Sequence, residues 1–330
     1  MAYTVSLASL GCSKNQIDAE IMLAKLALAG FEYTAEEDEA DIVIVNTCAF
    51  IEDAKTESID VILDIARLKQ EGKLKLLVVT GCMAERYREQ ILNEMPEVDV
   101  VVGIGSNADI VKIITKALED GKRVCKYDDK QLLPLSGPRF IATPHYMAYI
   151  KIAEGCDNRC TYCAIPGIRG RYRSRTMDDI VGEAEMLARR GVKELILIAQ
   201  DTTRWGEDIG NERLTDLLER LCKIEGIKWL RILYAYPERV DDRLISVIRD
   251  NPKIVKYIDI PLQHSEDKIL RRMNRRITKD GIISLVHKLR QEIPEIVLRT
   301  TILTGFPGET EEDFENLLSF VKEMRFEKLG

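Results

Sequence analysis

Three cysteines lie close together near the middle of the chain, in the segment EGCDNRCTYCAIP. Cys156, Cys160 and Cys163 follow a Cys-x3-Cys-x2-Cys spacing. Cysteine thiolates are the usual ligands of iron–sulfur clusters, and three ligands on a four-iron cube leave one iron open. An open metal position can bind a small molecule, as it does at a catalytic zinc. The spacing therefore predicts a three-ligand iron–sulfur cluster.

Two other interpretations of these cysteines stay open at this point. A zinc site would use the same ligand type, but zinc usually takes a fourth ligand close by. No second Cys-x2-Cys pair and no His pair follows in the sequence. The other interpretation is that the thiols are structural and bind no metal.

Three further cysteines share one local pattern, which is an apolar run, a small or polar residue and then the thiol. Cys12 ends SLASLGC, Cys48 ends DIVIVNTC and Cys82 ends LLVVTGC. Because the carboxyl ends of parallel strands share one edge of a sheet, we expect these thiols to converge and to hold a second cluster. The Gly or Thr before each cysteine favours a tight turn. Any one of the three alone is more simply a small buried apolar residue.

The remaining cysteines, Cys125 and Cys222, lack this setting, and we assign neither a role. A chain of 330 residues with 45% hydrophobic residues has enough core material to fold without disulfides. The clustered thiols therefore favour metal ligation over disulfide pairing.

The composition is that of an ordinary globular chain, with 31% charged residues and a formal net charge of −7. An acidic balance does not favour nucleic-acid binding in general. No apolar run reaches the ~18 residues of a membrane helix. The N-terminus lacks the basic region typical of a signal peptide. We therefore expect a cytoplasmic protein with no membrane partner.

Residues 1–125 alternate β-branched runs with helical patterns, as βαβ units do. The predicted strands are Thr4–Leu10, Asp41–Asn46, Leu76–Thr80 and Val98–Val102. The predicted helices are Asn15–Ala29, Asp53–Lys69, Ala84–Asn93 and Asn107–Leu118. These elements predict an N-terminal α/β domain with a parallel sheet covered on both faces. Residues 126–145, with three prolines and a glycine, are expected to form a linker.

The alternation resumes over residues 146–330 and predicts a partial (β/α)6 barrel with the Cys156 loop on its C-terminal face. The predicted strands are Met147–Ala153, Glu194–Ala199, Trp229–Leu233, Tyr257–Ile260 and Ile296–Thr301. The predicted helices are Asp178–Arg190, Arg213–Ile224, Asp241–Arg249, Lys279–Gln291 and Glu311–Met324. The last segment, RFEKLG, is expected to lead into a sixth strand. We therefore expect an incomplete barrel and a longer natural protein.

The two cysteine sets, in this order, resemble those of the radical S-adenosylmethionine (SAM) methylthiotransferases. The Cys156 set resembles the Cys-x3-Cys-x-aromatic-Cys signature of the radical SAM superfamily. The local sequence is similar to that of the RimO branch, whose members modify an aspartate of the small-subunit ribosomal protein S-twelve. The segments that carry this resemblance are SLGCSKNQIDAE, YIKIAEGCDNRCTYCAIPGIRGRYRSR, LILIAQDTTRWGED, YIDIPLQHSEDKILRRMNRR and RTTILTGFPGETEEDF.

This resemblance implies two [4Fe-4S] clusters and SAM as cosubstrate. The implied ligands are Cys12, Cys48 and Cys82 for one cluster and Cys156, Cys160 and Cys163 for the other. In this family one SAM methylates a sulfur at the first cluster. A second SAM yields a deoxyadenosyl radical, which takes hydrogen from the β-carbon of the target aspartate. No catalytic residue beyond the ligands is implied, and the implied SAM contacts are Tyr162, Gln200 and Gly305.

The resemblance also implies partners. An external electron donor would reduce the clusters, and the S-twelve protein would be the substrate. The protein would contact nucleic acid only indirectly, through the ribosome. The small C-terminal β-barrel of the family (the TRAM domain), which contacts substrate, is expected to be missing from this chain.

Two alternative functions remain open. The transfer-RNA branch of the family, which modifies isopentenyl-adenosine, typically has Gln-Met-Asn after the first cysteine, where this chain has Ser13-Lys14-Asn15. It typically has Gln-Asn-Val-Asn where this chain has Gln200-Asp201-Thr202-Thr203. The second alternative is a non-catalytic iron–sulfur carrier, which would hold clusters without cleaving SAM.

Two basic segments complete the candidates. The alternating arginines of RGRYRSR, residues 169–175, suit nucleic acid, a cofactor carboxylate or acidic neighbours, or a solvated loop. RRMNRR, residues 271–276, favours a solvated helix face.

His264 favours a structural role. TGFPGET, residues 304–310, suits a tight turn before a helix.

Overall fold

The computed structural model describes residues 3–210 and 212–330 as two compact units. The first unit runs to Ala142 and also includes Ala164–Arg171, and the second consists of Thr143–Cys163 and Tyr172–Gly330. Each unit is built around its own six-stranded parallel sheet. No helix within the described ranges is both long and apolar enough to cross a membrane.

The first unit alternates strands and helices, as the sequence predicts. Its strands are β1 (Thr4–Ser9), β2 (Glu32–Tyr33), β3 (Ile42–Thr47), β4 (Leu76–Gly81), β5 (Val100–Val102) and β6 (Val124–Lys126). Its helices are α1 (Ser13–Leu28), α2 (Glu52–Gln70), α3 (Cys82–Tyr87), α4 (Glu89–Glu94), α5 (Ile110–Asp120) and α6 (Ile165–Arg169). The sheet order is β2-β1-β3-β4-β5-β6, and all neighbours pair in parallel.

The middle strands β3 and β4 are buried along their whole length. Side chains of a strand alternate between the two faces of the sheet. Ile42 and Ile44 therefore join the core beneath α1 and α5, whereas Val43 and Val45 join the core beneath α2. Two cores thus cover both faces, which confirms the predicted parallel sheet.

Three details of the first unit differ from the predictions. The helix predicted over Ala84–Asn93 is two short helices, because Arg88 has a φ of 49° that interrupts the helical geometry. The start of the helix predicted at Asn107 lies in a 3-10 turn, and α5 begins only at Ile110. The two edge strands β2 and β6 were not predicted, since two- and three-residue strands carry almost no periodic signal.

The second unit repeats strand and helix in sequence. Its strands are β7 (Met147–Lys151), β8 (Ala153–Glu154), β9 (Arg173–Ser174), β10 (Glu194–Ile198), β11 (Trp229–Ile232), β12 (Ile254–Asp259), β13 (Val297–Thr300) and β14 (Lys328–Leu329). Its helices are α7 (Met177–Arg189), α8 (Leu214–Cys222), α9 (Asp242–Asp250), α10 (Asp267–Arg272), α11 (Lys279–Glu292) and α12 (Glu311–Met324). The parallel order β7-β10-β11-β12-β13-β14 follows the sequence and leaves β7 and β14 as edges. This confirms the partial barrel and its sixth strand.

The observed boundary of the first unit differs from residue 125. Lys126 belongs to β6, and the segment predicted as a linker packs on the first unit as far as Ala142. The cause is a buried ion pair, because Arg139 Nη2 lies 2.6 Å from Glu20 Oε2 on α1. The Ala142 amide donates to the other oxygen of the same carboxylate at 3.0 Å. These bonds tie the segment to α1 more tightly than its prolines indicate.

The N-terminus of α12 offers a stability test that depends on pH. The Lys268 ammonium, 2.8 Å from Asp313, and bonds from Thr310 lower the pKa of Asp313 to about 2. In the unfolded chain an aspartate has a pKa of about 3.9. The stabilisation is therefore complete above that value and is lost as pH falls towards 2.

We expect Asp313→Asn to lower the free energy of unfolding at pH 7, and the difference from the parent protein to shrink between about pH 5 and pH 2. Urea unfolding at several pH values measures this. Glu315→Gln, an exposed residue of the same helix, is the matched control and should show no such trend. A deficit in Asp313→Asn that stays constant across this range would contradict the assignment.

Candidate cluster sites

The three cysteines of the first unit follow adjacent parallel strands. Cys12 immediately precedes α1, Cys48 follows β3 directly, and Cys82 opens α3 directly after β4. The strands β1, β3 and β4 are neighbours, and their register pairs Ser9 with Asn46 and Thr47 with Gly81. Their carboxyl ends therefore lie level along one edge. The structure brings the three predicted thiols to that edge.

Two glycines allow the chain to pack this closely. Gly11 has a φ of +85°, and a Cβ there would lie 2.7 Å from Cβ and 2.8 Å from Sγ of Cys48. Gly81 has a φ of +93°, and a Cβ there would collide with the Thr47 carbonyl oxygen. Only glycine meets both demands without strain. The sulfur of Cys48 thus lies directly against the backbone that precedes Cys12.

Buried amides hold the ends of the strands. Asn15 Nδ2 donates to the carbonyls of Leu10, Asn46 and Thr47 at 2.9–3.2 Å. Asn46 Nδ2 donates back to the Asn15 carbonyl at 2.7 Å. Because the bonds to Asn46 and Thr47 and the bond from Asn46 join the Cys12 segment to the Cys48 segment, these two loops hold one another in place.

A cation lies beside this site that sequence reasoning did not assign to it. Arg169 Nη2 is 3.5 Å from the sulfur of Cys82, and Nη1 is 2.8 Å from the Asp18 carboxylate. Arg169 belongs to the RGRYRSR segment, for which acidic neighbours were one of three interpretations. The contact with Cys82 has no local sequence signal, since the two residues lie 87 positions apart.

Burial is the largest influence on the pKa of two of these thiols, Cys82 and Cys48. It raises the pKa of Cys82 to about 11, a rise that Arg169 opposes and that Cys12 and Cys48 increase. Burial also raises the pKa of Cys48, and Cys12 adds to that rise. The mutual influence of the three sulfurs is what a shared site produces.

The donor set of this site fits an iron–sulfur cluster, since it offers three thiols at one edge of the sheet. Each thiolate of such a cluster binds a different iron atom, so the ligands need not surround one point. In the described part of the chain, no three His, Cys, Asp or Glu side chains are placed to hold a single metal ion.

The three cysteines of the second unit lie in the loop after β8, just beyond the carboxyl end of β7. Burial raises the pKa of Cys156 to about 11, and Asp201 adds to the rise. Cys160 Sγ lies 3.0 Å from the hydroxyl of Tyr236. The Cys163 amide donates to the Cys160 carbonyl at 3.0 Å, which closes the loop into a turn.

The segment predicted as a solvated helix face, residues 271–276, instead holds this loop. The backbone carbonyls of Arg272 and Met273 accept bonds from Thr161 at 2.9 and 3.2 Å. Asn274 Nδ2 donates to the Arg159 carbonyl at 3.0 Å. The prediction holds for Arg271 and Arg272, which are exposed on α10, and it was wrong for Met273 and Arg275, which are buried after the helix ends at Arg272.

Arg275, in the same segment, is a second buried cation that the sequence did not reveal. Only 5% of its surface is exposed, and its guanidinium lies 3.9 Å from the ring centroid of Tyr236. Since the Tyr236 hydroxyl contacts Cys160, a chain of contacts leads from Arg275 to a cysteine. The cation–π geometry stabilises the position of the tyrosine ring.

Two of the three expected SAM contacts line one cavity. Tyr162 and Gly305 border a cavity of about 630 Å³, together with Thr161, Arg272, Leu303, Phe306 and Pro307. Gln200 does not line it. Its Nε2 donates to Glu154 at 2.8 Å, and its buried Oε1 has no hydrogen-bond partner among the described residues. That orphaned oxygen is a polar position suited to a ligand.

The other residues of RGRYRSR divide by environment. Arg175 is buried and pairs with Asp179 at 2.8 Å and Glu183 at 2.6 Å. The hydroxyl of Tyr172 donates to the Asp201 carbonyl at 3.0 Å. Acidic neighbours, one of the three interpretations, therefore account for Arg175 as they do for Arg169. His264 is fully buried, and its Nδ1 accepts a bond from the Glu266 amide at 3.0 Å.

Comparisons with known protein families cover both units. The description "Uncharacterized protein family UPF0004" matches residues 4–103, and "Radical SAM superfamily" matches residues 150–321. A protein of Clostridioides difficile named ribosomal protein uS12 methylthiotransferase RimO is 52% identical, over 99% of this chain and 74% of its own length. A protein of the same name from Pelotomaculum thermopropionicum is 51% identical, over 100% of this chain and 74% of its own length.

Solved structures share the fold at low identity. The radical SAM methyltransferase TsrM from Kitasatospora setae, solved with a tryptophan substrate and a SAM analogue, has a TM-score of 0.70 at 16% identity. The match covers 100% of this chain and 72% of that one. The cobalamin-dependent enzyme OxsB has a TM-score of 0.64 at 16% identity, over 97% of this chain and 52% of that one. These likenesses concern the fold.

The contact between Gly11 and Cys48 leads to a prediction about iron binding. We expect Gly11→Ala to displace Cys48 and to lower iron content after anaerobic reconstitution by about four irons per chain, the content of one cube. Gly30→Ala is the matched control, because Gly30 has a similar φ of +92° but nothing within 4 Å of an added Cβ. Equal iron content in both variants would show that the close approach does not matter for the site.

Proposed function

Because the chain belongs to the radical SAM methylthiotransferases of the RimO type, we propose that it adds a methylthio group to the β-carbon of an aspartate in ribosomal protein uS12. The observation that carries this proposal is a 52% identical relative whose match runs over 99% of the chain and so includes both cysteine sets. Electron donation from an external protein and residence in the cytoplasm, where ribosomes are found, belong to the same proposal.

We assign the two cluster sites by their donors. The proposed ligands are Cys12, Cys48 and Cys82 in the first unit and Cys156, Cys160 and Cys163 in the second. When bound, the clusters supply an electron for SAM cleavage at the second site and an open iron for sulfur at the first. A fourth protein thiolate would block either role, and the remaining cysteines, Cys125 and Cys222, stand apart from both sets in sequence.

The residues of the second unit would orient the ligand loop and the cosubstrate. Tyr236 contacts Cys160, and Arg275 holds the Tyr236 ring from its other side. Tyr162 and Gly305 border the cavity that we propose for the adenosine part of SAM. The unpartnered Oε1 of Gln200 is an acceptor for an ammonium group, such as that of the methionine part of SAM.

The residues of the first unit would hold three thiolates in a buried place. Asn15 and Asn46 tie the loops together, so the ligands keep their spacing when metal enters. Arg169 supplies one positive charge beside Cys82. Compensation of buried negative charge is a general requirement for a thiolate site, since unpaired charges in the interior are costly.

Iron counting tests the two ligand sets. We expect about eight irons per reconstituted chain and about four in a Cys12→Ala, Cys48→Ala, Cys82→Ala triple variant, because one cube is lost. That variant should still produce deoxyadenosine from SAM and dithionite. Cys125→Ala and Cys222→Ala together are the control and should keep all the iron. A triple variant with undiminished iron would refute the first set, and a parent protein that never yields deoxyadenosine would favour a non-catalytic carrier.

Mass spectrometry tests the substrate. In a strain that lacks the gene, we expect the methylthio group to be absent from the uS12 aspartate and present in transfer RNA. The gene supplied in trans should restore the uS12 modification, whereas the Cys156→Ala form should not. Loss of methylthio groups from transfer RNA alone would replace the proposed substrate with isopentenyl-adenosine.

A further inference from the structure

Arg169 is a buried cation in direct contact with a proposed cluster ligand. Its exposed surface is 1%, and its Nη2 lies 3.5 Å from Cys82 Sγ. The same nitrogen is 3.1 Å from Asn15 Oδ1, and Nη1 is 2.8 Å from Asp18 Oδ2. Since a guanidinium has five donors in a rigid plane, these partners fix its orientation as well as its place.

The partners of Arg169 are themselves fixed. The Nδ2 of Asn15 donates to the carbonyls of Leu10, Asn46 and Thr47, and its Oδ1 accepts from the guanidinium. Asp18 is 3% exposed and lies on α1, one turn after Asn15. The arginine is therefore held between a carboxylate on one side and a thiol on the other.

The segment that carries Arg169 is attached to the first unit at a second point. Lys130 Nζ donates to the Gly167 carbonyl, two residues before Arg169. The residues Ala164–Arg171 cluster with this unit although the chain on either side belongs to the other one. A cation is thus brought to the sheet edge by a segment that is remote in sequence from the thiols beside it.

We propose that Arg169 sets the reduction potential of the cluster held by Cys12, Cys48 and Cys82, with Asp18 as its counterweight. This inference rests on the ligand set given under the proposed function. Hydrogen bonds to ligand sulfur and nearby positive charge stabilise the reduced cluster, which carries one more electron than the oxidised one. Asp18 places a negative charge at the other terminal nitrogen of the guanidinium and offsets part of that effect.

The expected shift of the reduction potential therefore has opposite signs for substitutions of Arg169 and of Asp18. Removal of the Arg169 charge lowers the potential, because the reduced cluster loses a compensating cation. Removal of the Asp18 charge raises it, because the cation then acts on the cluster alone. A purely structural role for the ion pair would not shift the potential in opposite directions, since both substitutions break the same pair.

A redox titration tests this proposal on the full chain. Cys156, Cys160 and Cys163 are replaced by Ala, so that only the cluster of the first unit remains. The protein is titrated anaerobically with dithionite, which adds one electron per cluster, and the reduced form is counted by electron paramagnetic resonance. The variants compared in this background are Arg169→Gln, Arg169→Lys, Asp18→Asn and, as an exposed control in the same segment, Arg171→Gln.

We expect Arg169→Gln to lower the reduced-to-oxidised ratio at a fixed potential at least tenfold, which corresponds to about 59 mV for one electron. Asp18→Asn should raise that ratio, Arg169→Lys should recover part of the loss, and Arg171→Gln should leave it unchanged. Potentials of Arg169→Gln and Asp18→Asn that both match the Arg171→Gln control would overturn the proposal.

Two further outcomes separate this inference from the proposed ligand set. If the background protein binds no iron, the ligand set itself fails and the role of Arg169 fails with it. If Arg169→Gln alone fails to assemble a cluster, the reduction potential of Asp18→Asn decides the question. An upward shift of that potential supports the proposal, and an unchanged potential overturns it. Iron content is measured in every sample for this purpose.

Discussion

Parallel strand pairing determines where the cysteine sets of this protein lie. In a parallel sheet every strand ends at the same edge, so whatever follows the strands is gathered there. In the first unit that edge receives three cysteines from β1, β3 and β4, which are adjacent in the sheet although their cysteines are 34–36 positions apart in the chain. In the second unit the cysteine loop and Tyr236 likewise follow strands of one parallel sheet. No local motif is needed to bring distant residues together when the topology does so.

The close approach of neighbouring loops at this sheet edge restricts which residue types can occupy it. Gly11 and Gly81 adopt positive φ values and leave no room for a side chain, because sulfur and carbonyl atoms of neighbouring loops occupy the space. Asparagines satisfy the carbonyls that a sheet leaves unpaired at its end. The result is a site that is shaped before metal binds, as preorganised metal sites need to be.

Buried charge is the second theme of the structure. Arg169 and Arg275 are each nearly inaccessible to water. Arg169 lies beside Cys82, and Arg275 lies over the ring of Tyr236, which contacts Cys160. Arg169 pairs with Asp18, whereas Arg275 donates from Nη2 to the Pro261 carbonyl and its buried Nε has no partner among the described residues. An interior arginine is tolerated only with such compensation, and its charge acts strongly because the surroundings screen it little. Arg169 accordingly opposes the rise that burial causes in the pKa of Cys82.

The amino-acid order alone was enough to predict both cysteine sets, the two parallel sheets and the sixth strand at the end of the chain. The sheets follow from local periodicity and the Cys156 set from short-range spacing, which a linear pattern records directly. The convergence of Cys12, Cys48 and Cys82 follows from the rule that parallel strands end at one edge. The places of Arg169 and Arg275 were decided only by the tertiary structure. Arg169 lies 87 positions from Cys82, and Arg275 reaches Tyr236 only because the chain turns inward after α10. A charged residue looks solvated in a sequence, because its partners become neighbours only when distant segments pack together.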